Sequence, residues 1–299
     1  MKELNDKREE SMEKRKKQAL IAVLVVLIVV IAIIVVLVIK IKNTDNTDTV
    51  NANEKTTSNI EISEDYFEWE DNIIVGLTEE GMKQTTLTIP ARCESIEQDV
   101  FVGSGCVATE IIFESDEDID IGLTFCAFET LEVITLPNGL TEIPNFAFEY
   151  CYALKEIVIP ANVTTVGKDA FSMCNSLKSV IFEGGTELIG ESAFYYCKAL
   201  ESVKFCDTIS EIGKYAFYGC ESLTNITLPE GLKTIDKYAF NQCGFGTITV
   251  PEGVEVEDVD DTAFWQDDIA DVYVVEGSWA DENFNEIFYE NGKYEKLYQ

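Results

Sequence analysis

The stretch "KYAFYGCESLTNITLP" (residues 214–229) decides the fold, because its pattern recurs along the chain in one phase. A cysteine follows the phenylalanine of its "AF" pair by three residues, and a leucine follows that phenylalanine by six. The same step from phenylalanine to cysteine is found in "FAFEYC", "DAFSMC", "SAFYYC" and "YAFNQC". A segment repeated at a fixed spacing indicates a solenoid, in which each copy forms one coil.

The period of the repeat is close to 23 residues. The phenylalanines that align on the "AF" step are Phe128, Phe148, Phe171, Phe194, Phe217, Phe240 and Phe264, with spacings of 20, 23, 23, 23, 23 and 24 residues. A degenerate earlier copy contains Phe101. We predict that the aligned positions point inward and form the structural core, which comprises Phe148, Phe171, Phe194, Phe217, Phe240, Cys151, Cys174, Cys197, Cys220 and Cys243.

Each copy also contains a short strand. In "LKEIVIP" (residues 154–160) the apolar residues alternate, which predicts a strand with one buried face, and the proline ends it. One coil cannot enclose its own apolar side, whereas stacked coils can. We therefore expect successive strands to pair in parallel, about 4.8 Å apart.

These motifs resemble a known family. The segment "NVTTVGKDAFSMCNSLKSVIF" and its copies follow the patterns L-x-x-I-x-I and I-G-x-x-A-F-x-x-C-x-x-L, and in this they are similar to the BspA-like leucine-rich repeat proteins of bacterial and protist surfaces. The resemblance covers about residues 86–275, and "VYVVEGSWAD" is similar to the family's usual ending. It implies an α/β-type leucine-rich repeat solenoid, a location on the cell surface, and adhesion to host matrix proteins or other cells.

A membrane segment precedes the repeats. Residues 19–39 read "ALIAVLVVLIVVIAIIVVLVI", which is 21 apolar residues without a charge. As a helix this run measures about 30 Å, the thickness of a hydrocarbon core. The basic run "KRKK" before it predicts a cytoplasmic N-terminus and an extracellular C-terminal domain. We interpret the run as an uncleaved signal anchor, because no A-x-A cleavage site follows it.

The domain organisation follows from these features. We predict a cytoplasmic tail (residues 1–18), a transmembrane signal anchor (19–39), a flexible stalk rich in Thr, Asn and Asp (40–61), an N-terminal cap (62–85), the leucine-rich repeat solenoid (86–275) and a C-terminal cap (276–299).

Composition excludes several classes of function. The formal net charge of −33 would repel nucleic acids and anionic lipids, so we predict no nucleic-acid partner. The chain contains no histidine, and therefore lacks the usual general base and the commonest zinc ligand. We predict no enzymatic activity, no cofactor and no metal.

The nine cysteines allow more than one interpretation. A disulfide ladder is compatible with the spacing of adjacent coils and with an extracellular location. However, thiols stacked in one inward register run parallel to each other, and a free cysteine behaves as a small buried hydrophobe. We favour free core thiols over disulfides. The acidic run "ESDEDID" (residues 114–120) is either a solvated surface or a calcium site, and it lacks the glycine and final glutamate of an EF-hand loop.

The binding hypothesis rests on the exposed strand positions. Two outward residues per strand form a nearly uncharged face in an acidic domain, whereas a structural interpretation holds that such residues simply suit strands. The predicted binding residues are Thr135, Val158, Ile181, Lys204, Thr227, Thr249, Ser179, Ser202 and Asn225. A second candidate is the tyrosine group that flanks the "AF" steps, which comprises Tyr150, Tyr195, Tyr196, Tyr215, Tyr218 and Tyr238.

Two functions fit these observations. The first is a membrane-anchored, non-catalytic binding or adhesion module for an extracellular protein or glycan. The alternative is a structural or sensory envelope protein without a dedicated macromolecular ligand.

Overall fold

The structure of the chain is a computed structural model, and it describes residues 64–265, 270–288 and 294–298. The predicted cytoplasmic tail, signal anchor and stalk lie outside these residues. Among the residues that are described, no helix has the length and apolar character needed to cross a membrane.

A single coil shows how the sequence forms the fold. Strand β8 (Glu156–Ile159) alternates between exposed and buried side chains, and Pro160 follows it. A turn leads to the two-residue strand β9 (Thr165–Val166), and further turns carry Phe171 into the interior. Because the next coil repeats this path, each buried side chain lies against its equivalent and the core is continuous along the stack.

The longer strands stack in parallel along one side of the solenoid. Besides β8, they are β3 (Thr86–Ile89), β5 (Glu110–Phe113), β6 (Val133–Thr135), β10 (Ser179–Phe182), β12 (Ser202–Lys204), β14 (Asn225–Thr227), β16 (Thr247–Thr249), β18 (Ala270–Val274) and β19 (Tyr294–Tyr298). The hydrogen-bonded ladders are β3-β5-β6, β8-β10-β12 and β14-β16-β18-β19. Val180 of β10 lies opposite Ile157 of β8 and Val203 of β12, so that equivalent residues of neighbouring coils pair directly.

A second side is formed by two-residue strands. Six of them build one parallel sheet; five contribute a buried aliphatic side chain, and the sixth contributes the half-buried Val259. The glycine that follows three of these strands allows close approach, because a Cβ atom at Gly190 would lie 2.8 Å from the carbonyl oxygen of Val166. The strands are β7 (Glu142–Ile143), β9, β11 (Leu188–Ile189), β13 (Glu211–Ile212), β15 (Thr234–Ile235) and β17 (Asp258–Val259).

The turns around each "AF" step form a third ladder of hydrogen bonds. The N–H of Phe148 donates to the carbonyl of Ala170 in the next coil at 2.8 Å, and the N–H of Tyr150 donates to that of Ser172 at 2.9 Å. In the turns of Phe148, Phe171, Phe194, Phe217 and Phe240 two residues have positive φ, two positions before and two after the phenylalanine, as at Tyr215 and Gly219. The left-handed residues let the backbone present its N–H groups to the following coil at each repeat.

The buried phenylalanines form one stacked column, and this column corrects the alignment made from the sequence. Phe148 and Phe171 stack with centroids 5.0 Å apart and an interplanar angle of 3°. On the N-terminal side, the ring that stacks on Phe148 belongs to Phe125, at 5.4 Å and 3°, and not to Phe128. Phe125 is 23 residues before Phe148, so the period there is regular and Phe128 takes the cysteine position. The dipeptide "AF" was the wrong marker in this coil.

Different elements close the two ends. At the N-terminal end β1 (Phe67–Glu70) pairs with β2 (Ile73–Leu77) in antiparallel fashion, and β2 joins β4 (Ser95–Ile96) in parallel. At the C-terminal end β19 adds a parallel strand to β18, and the ring of Phe288 lies 5.0 Å from that of Phe264. The helices are α1 (Trp279–Glu282) and α2 (Phe284–Ile287), with 3-10 turns at Glu64–Tyr66 and Gly81–Lys83.

This arrangement confirms the parallel, coil-on-coil solenoid and corrects its class. Within the described ranges the two α-helices have four residues each and lie near the C-terminal end, whereas the repeating coils contain strands and turns. The fold is therefore a parallel-strand β-solenoid and not an α/β-type repeat. The short return of each coil explains the difference, because consecutive turns with left-handed residues leave no room for a helix.

Candidate functional site

The strand face consists of the outward-pointing residues of the longer strands. All nine predicted binding residues lie on these strands, and within each ladder parallel pairing in register aligns equivalent positions. Ser179 lies opposite Ser202, Ile181 opposite Lys204, and Asn225 opposite Thr247. One row contains Val133, Glu156, Ser179, Ser202, Asn225 and Thr247, and the other contains Thr135, Val158, Ile181, Lys204, Thr227 and Thr249. These side chains are exposed or half-buried.

The strand face extends further than the sequence reasoning placed it. At the N-terminal end Thr86 and Glu110 precede Val133 in the first row, and the Thr86 hydroxyl donates to the Glu110 carboxylate at 2.9 Å. At the C-terminal end Asp271 and Glu295 continue that row. The alternation of apolar and polar residues in β3 and β18 could have identified these residues. The repeat alignment places both strands at the ends of the solenoid.

Few charges lie on the central part of the strand face. Among the twelve central positions Glu156 is acidic and Lys204 is basic. Just outside the face, the Lys155 ammonium pairs with the Glu132 carboxylate of the preceding coil. The centre therefore presents hydroxyls, an amide and aliphatic groups, which suit contact with a macromolecular surface better than binding of a small charged ligand.

The predicted core residues lie in the interior, and the structure gives their thiols a specific role. The five column cysteines are buried, and each donates a hydrogen bond from Sγ to the carbonyl oxygen of the column phenylalanine in the preceding coil. For example, Cys197 donates to Phe171 at 3.2 Å and Cys220 donates to Phe194 at 3.3 Å. The complete set of column donors is Cys151, Cys174, Cys197, Cys220 and Cys243.

Burial keeps the thiols of Cys174, Cys197 and Cys220 protonated. It raises the pKa of Cys174, Cys197 and Cys220 well above the ordinary thiol value, because a thiolate would lose its hydration there. A protonated, buried thiol is a poor nucleophile and a poor metal ligand. The column cysteines thus pack and donate hydrogen bonds.

The other four cysteines are free and half-buried. Desolvation raises the pKa of Cys93 to about 11, and it also raises the pKa of Cys126, with the charges of Glu149 and Asp99 adding to the effect. Cys206 lies beside Thr208, with Sγ and Oγ1 3.2 Å apart. The described cysteines have no arrangement that assembles a reactive centre.

The acidic run at residues 114–120 supports neighbouring backbone. The Glu114 carboxylate accepts a hydrogen bond from the N–H of Ala91 at 2.8 Å, and that of Asp120 accepts one from the N–H of Gly122 at 2.9 Å. Asp116 accepts hydrogen bonds from the N–H and the side-chain amide of Asn138. No three Asp, Glu, Cys or His side chains among the described residues are grouped closely enough to hold a metal ion.

A second surface, the turn face, surrounds the column phenylalanines at residues 145–150, 168–173, 191–196, 214–219 and 237–242. It contains the tyrosine group, of which the structure assembles five into one tyrosine cluster. Tyr195 stacks on Tyr218 at 5.3 Å, and Tyr215 stacks on Tyr238 at 5.3 Å. Tyr196 closes the cluster, 4.7 Å from Tyr195 and 5.6 Å from Tyr218.

The sixth member of the tyrosine group is separate. Tyr150 pairs with Tyr152 at 6.0 Å, and both side chains are exposed. The sequence did not show that Tyr152 joins it, because Tyr152 lies outside the "AF" step.

Comparisons with known proteins agree with this architecture. The family model described as "BspA type Leucine rich repeat region" matches residues 79–201 and 187–290, in six copies. No curated protein matches the chain.

Several solved structures are similar to this chain. A leucine-rich repeat protein from Bacteroides ovatus is 21% identical with a TM-score of 0.50, and the match covers 78% of this chain and 68% of that one. A leucine-rich repeat protein from Eubacterium ventriosum is 26% identical with a TM-score of 0.48, covering 65% and 45%. The T. pallidum leucine-rich repeat protein is 20% identical with a TM-score of 0.46, covering 81% and 98%.

The family match spans more than half of the chain, and its repeats coincide with the stacked coils described above. The Bacteroides ovatus structure supports the fold. The chain belongs to the BspA-type leucine-rich repeat family.

Proposed function

We propose that this protein is a membrane-anchored, extracellular leucine-rich repeat protein that acts as a non-catalytic binding or adhesion module. Residues 19–39 would span the membrane, with the N-terminus in the cytoplasm and the solenoid outside. The stalk at residues 40–61 would hold the solenoid away from the lipid surface. The partner would be an extracellular protein or glycan that contacts the strand face.

One observation carries this proposal: a sparsely charged strand face runs through the centre of a chain whose net charge is −33. Charges are costly to desolvate, so the centres of protein interfaces are depleted of them. The centre of the strand face offers such a surface, and the charged residues beside it, such as the Lys155–Glu132 pair, would form a polar rim. Solenoids take partners on extended faces of this kind.

Parallel pairing supports the proposal further. The face is held by hydrogen-bonded strands whose inward side chains, such as Ile157 and Val180, are fully buried. Side chains on such a scaffold lose little freedom when a partner binds, and the entropic cost of association is correspondingly low. A repeated row of Ser, Thr and Val also suits a partner with an extended surface.

The experiment places one carboxylate in two positions. The full-length chain in phosphatidylcholine nanodiscs is tested for saturable binding to a panel of extracellular matrix proteins and neutral glycans. The Thr227→Glu variant carries the charge on the strand face, and the matched Asn175→Glu variant carries it on an exposed turn away from that face. We expect Thr227→Glu to weaken binding by about tenfold and Asn175→Glu by less than about twofold.

Two results would contradict the proposal. If no member of the panel shows saturable binding, the structural or sensory alternative is favoured. If a partner binds and both variants retain its affinity, the contact surface lies elsewhere. Thermal unfolding of both variants checks that neither change disturbs the coil.

A further inference from the structure

The strand side of the solenoid is interrupted between β12 and β14. The coils that contain these strands are joined at their two-residue strands, where β13 pairs with β15 in register. They are also joined at their turns, where the N–H of Phe217 donates to the carbonyl of Ala239 at 2.7 Å. The longer strands, however, belong to separate ladders. No backbone hydrogen bond joins residues 201–206 to residues 224–229, both of which the structure describes in full, and we call this opening the β12–β14 gap.

The paired strands next to the gap show which bonds are missing. At the start of β12 the N–H of Glu201 donates to the carbonyl of Lys178 in the preceding coil at 2.9 Å. One coil later the N–H of Thr224 makes no such bond to Glu201. After the end of β14 stands Pro229, which has no N–H to donate. The two coils are therefore held together on two sides and open on the third.

The interior is partly exposed along the gap. Val203 is half-buried, whereas the equivalent Val180 of the preceding coil is 0% exposed. Phe205 is also half-buried, whereas its equivalent Phe182 is 2% exposed. The N–H of Ser202 donates to the preceding coil, so the backbone groups of Val203, the next residue, face the gap. Closing the gap would bury both apolar side chains and offer these backbone groups partners in β14.

A second break in the strand ladders lies between β6 and β8, and its two coils remain better connected. There the N–H of Lys155 donates to the carbonyl of Glu132 at 3.1 Å, and the side chains of the same two residues form an ion pair. The inward side chains beside this break, Ile134 and Leu136, are each 6% exposed. Of the two breaks, the β12–β14 gap thus has fewer bonds across it and exposes more of the interior.

We propose that the β12–β14 gap is a hinge, at which the strand side of the solenoid opens and closes while the other two sides stay paired. The two-residue strands and the turns form the axis of this motion, because they join the same two coils on both remaining sides. Burial of Val203 and Phe205 favours the closed state, and the ordering of both strands opposes it. Hinge motions of this kind occur in microseconds to milliseconds.

The hinge changes the geometry of the strand face. Ser202 and Lys204 lie on one edge of the gap, and Asn225 and Thr227 lie on the other. Opening separates these two pairs, so the face consists of two rigid ladders with a variable distance between them. The inference goes beyond the binding function proposed above and does not depend on it, because the gap is a property of the backbone.

Introduced histidine pairs test whether the two edges can meet, and the chain has no histidine of its own. Ser202→His/Asn225→His places one imidazole on each edge of the gap. The matched control Ser179→His/Ser202→His places two imidazoles at opposed positions of the paired strands β10 and β12. Calorimetry measures Ni²⁺ binding to the full-length chain in phosphatidylcholine nanodiscs, with the wild type as baseline, because two neighbouring imidazoles can share one ion.

The two affinities distinguish a hinge from a fixed structure. We expect the gap pair to bind Ni²⁺ at least about tenfold more weakly than the control pair, since only the closed state brings both imidazoles to one ion. Equal affinities would show that the gap is already closed in solution. Binding no stronger than in the wild type would show that the edges cannot meet. Either result would overturn the proposal.

Hydrogen exchange measured by mass spectrometry detects closure independently. The N–H of Leu228 donates to the following coil, so the N–H of Thr227 faces the gap, whereas Ile181 lies in the paired ladder of β8 and β10. In the wild type we expect the Thr227 amide to exchange at least about tenfold faster than that of Ile181. Equal protection of the two amides would overturn the proposal, and this comparison needs no substitution.

The same measurement with Ni²⁺ connects binding to closure. Saturating Ni²⁺ should slow exchange of the Thr227 amide at least about fivefold in Ser202→His/Asn225→His. The single variant Ser202→His, which offers one imidazole, should show no such change. If Ni²⁺ binds to the pair and the exchange of Thr227 stays the same, binding does not close the gap and the hinge is excluded.

Discussion

Two turns of the solenoid share a left-handed residue two positions after the column phenylalanine but have different residues in the slot that follows it. In the coil of Phe194, Tyr196 has φ 54° and the slot contains Cys197. In the coil of Phe125, Ala127 has φ 59° and the slot contains Phe128. The left-handed residue before the slot is therefore kept without the cysteine, which is not required to produce it.

The difference shows what the cysteine provides. The Cys197 thiol donates to the carbonyl of Phe171 in the preceding coil, whereas Phe128 has no donor to offer. In its place the Ser104 hydroxyl donates to the carbonyl of Phe101 at 3.2 Å. At the C-terminal end the Tyr294 hydroxyl donates to the carbonyl of Phe264. A side-chain donor to the column carbonyl is kept in each case, although the residue that supplies it changes.

The largest expected effect concerns the column that both turns share. Phe194→Ala should lower the free energy of unfolding by about 3–5 kcal/mol, because it opens a cavity between two stacked rings in a fully buried position. Chemical denaturation of the full-length chain measures it. The exposed Thr227→Ala is the control, expected within about 0.5 kcal/mol. A loss below about 1 kcal/mol for Phe194→Ala would contradict the column.

The second prediction tests the donor directly. Cys197→Ala should lower the free energy of unfolding by about 1–3 kcal/mol, because it removes a buried side chain and leaves the Phe171 carbonyl without its second donor. Cys197→Val restores volume without a donor, and Cys197→Ser restores a donor with less volume. We expect Cys197→Ser to have a higher free energy of unfolding than Cys197→Ala.

The comparison of these variants distinguishes volume from hydrogen bonding. If Cys197→Val has the wild-type free energy of unfolding and Cys197→Ser is no more stable than Cys197→Ala, the slot requires volume alone. The hydrogen bond would then not distinguish the cysteine coils from the coil of Phe128. Cys206→Ala is the matched control, because this half-buried cysteine lies outside the column. It should cost less than Cys197→Ala.

Sequence reasoning identified the period but not every position within it. The 23-residue spacing and the inward positions from Phe148 to Phe240 could be read directly, because one coil dictates the next. Phe125 was missed in favour of Phe128, since both are apolar and the choice depends on the left-handed residue Ala127. The sequence also does not reveal that the thiols donate hydrogen bonds, because a cysteine at a repeated inward position could equally serve only as a small apolar residue.

The surfaces were predictable to different degrees. The strand face follows from alternation, which predicts that its central residues lie on the outward side. The tyrosine cluster was named as a group only, because contacts such as that between Tyr195 and Tyr218 depend on turn geometry in successive coils. The binding roles of both surfaces remain predictions.

The third prediction concerns pH and sharpens the contrast between the thiol and Phe128 coils. Burial raises the pKa of Cys197, so the unfolded chain releases this proton near pH 9 while the folded chain retains it. Stability from this thiol is thus fully present below pH 9 and is lost as the pH rises above it. The loss amounts to about 1.4 kcal/mol per pH unit for one thiol.

The measurement compares unfolding free energies between pH 8 and 10.5 in the wild type and in Cys197→Ser. The variant should show a shallower decline, because serine does not titrate in this range. Phe128→Leu is the control, since it alters an equivalent slot without a titrating group, and its slope should match the wild type. If the free energy of unfolding declines equally with pH in the wild type and in Cys197→Ser, folding does not raise the pKa of this thiol.

The smallest effect is expected where neighbouring coils meet in solvent. The Lys168 ammonium and the Glu191 carboxylate of the next coil are 3.2 Å apart, with both side chains about half exposed. Such pairs contribute about 0.2–1 kcal/mol, because water screens the attraction and two long side chains must be ordered. A double-mutant cycle with Lys168→Met and Glu191→Gln should give a coupling energy in that range, and 1 M NaCl should reduce it. A coupling energy comparable to the loss in Phe194→Ala would mean that surface charges hold the coils together, and that the shared column does not dominate the stability of the stack.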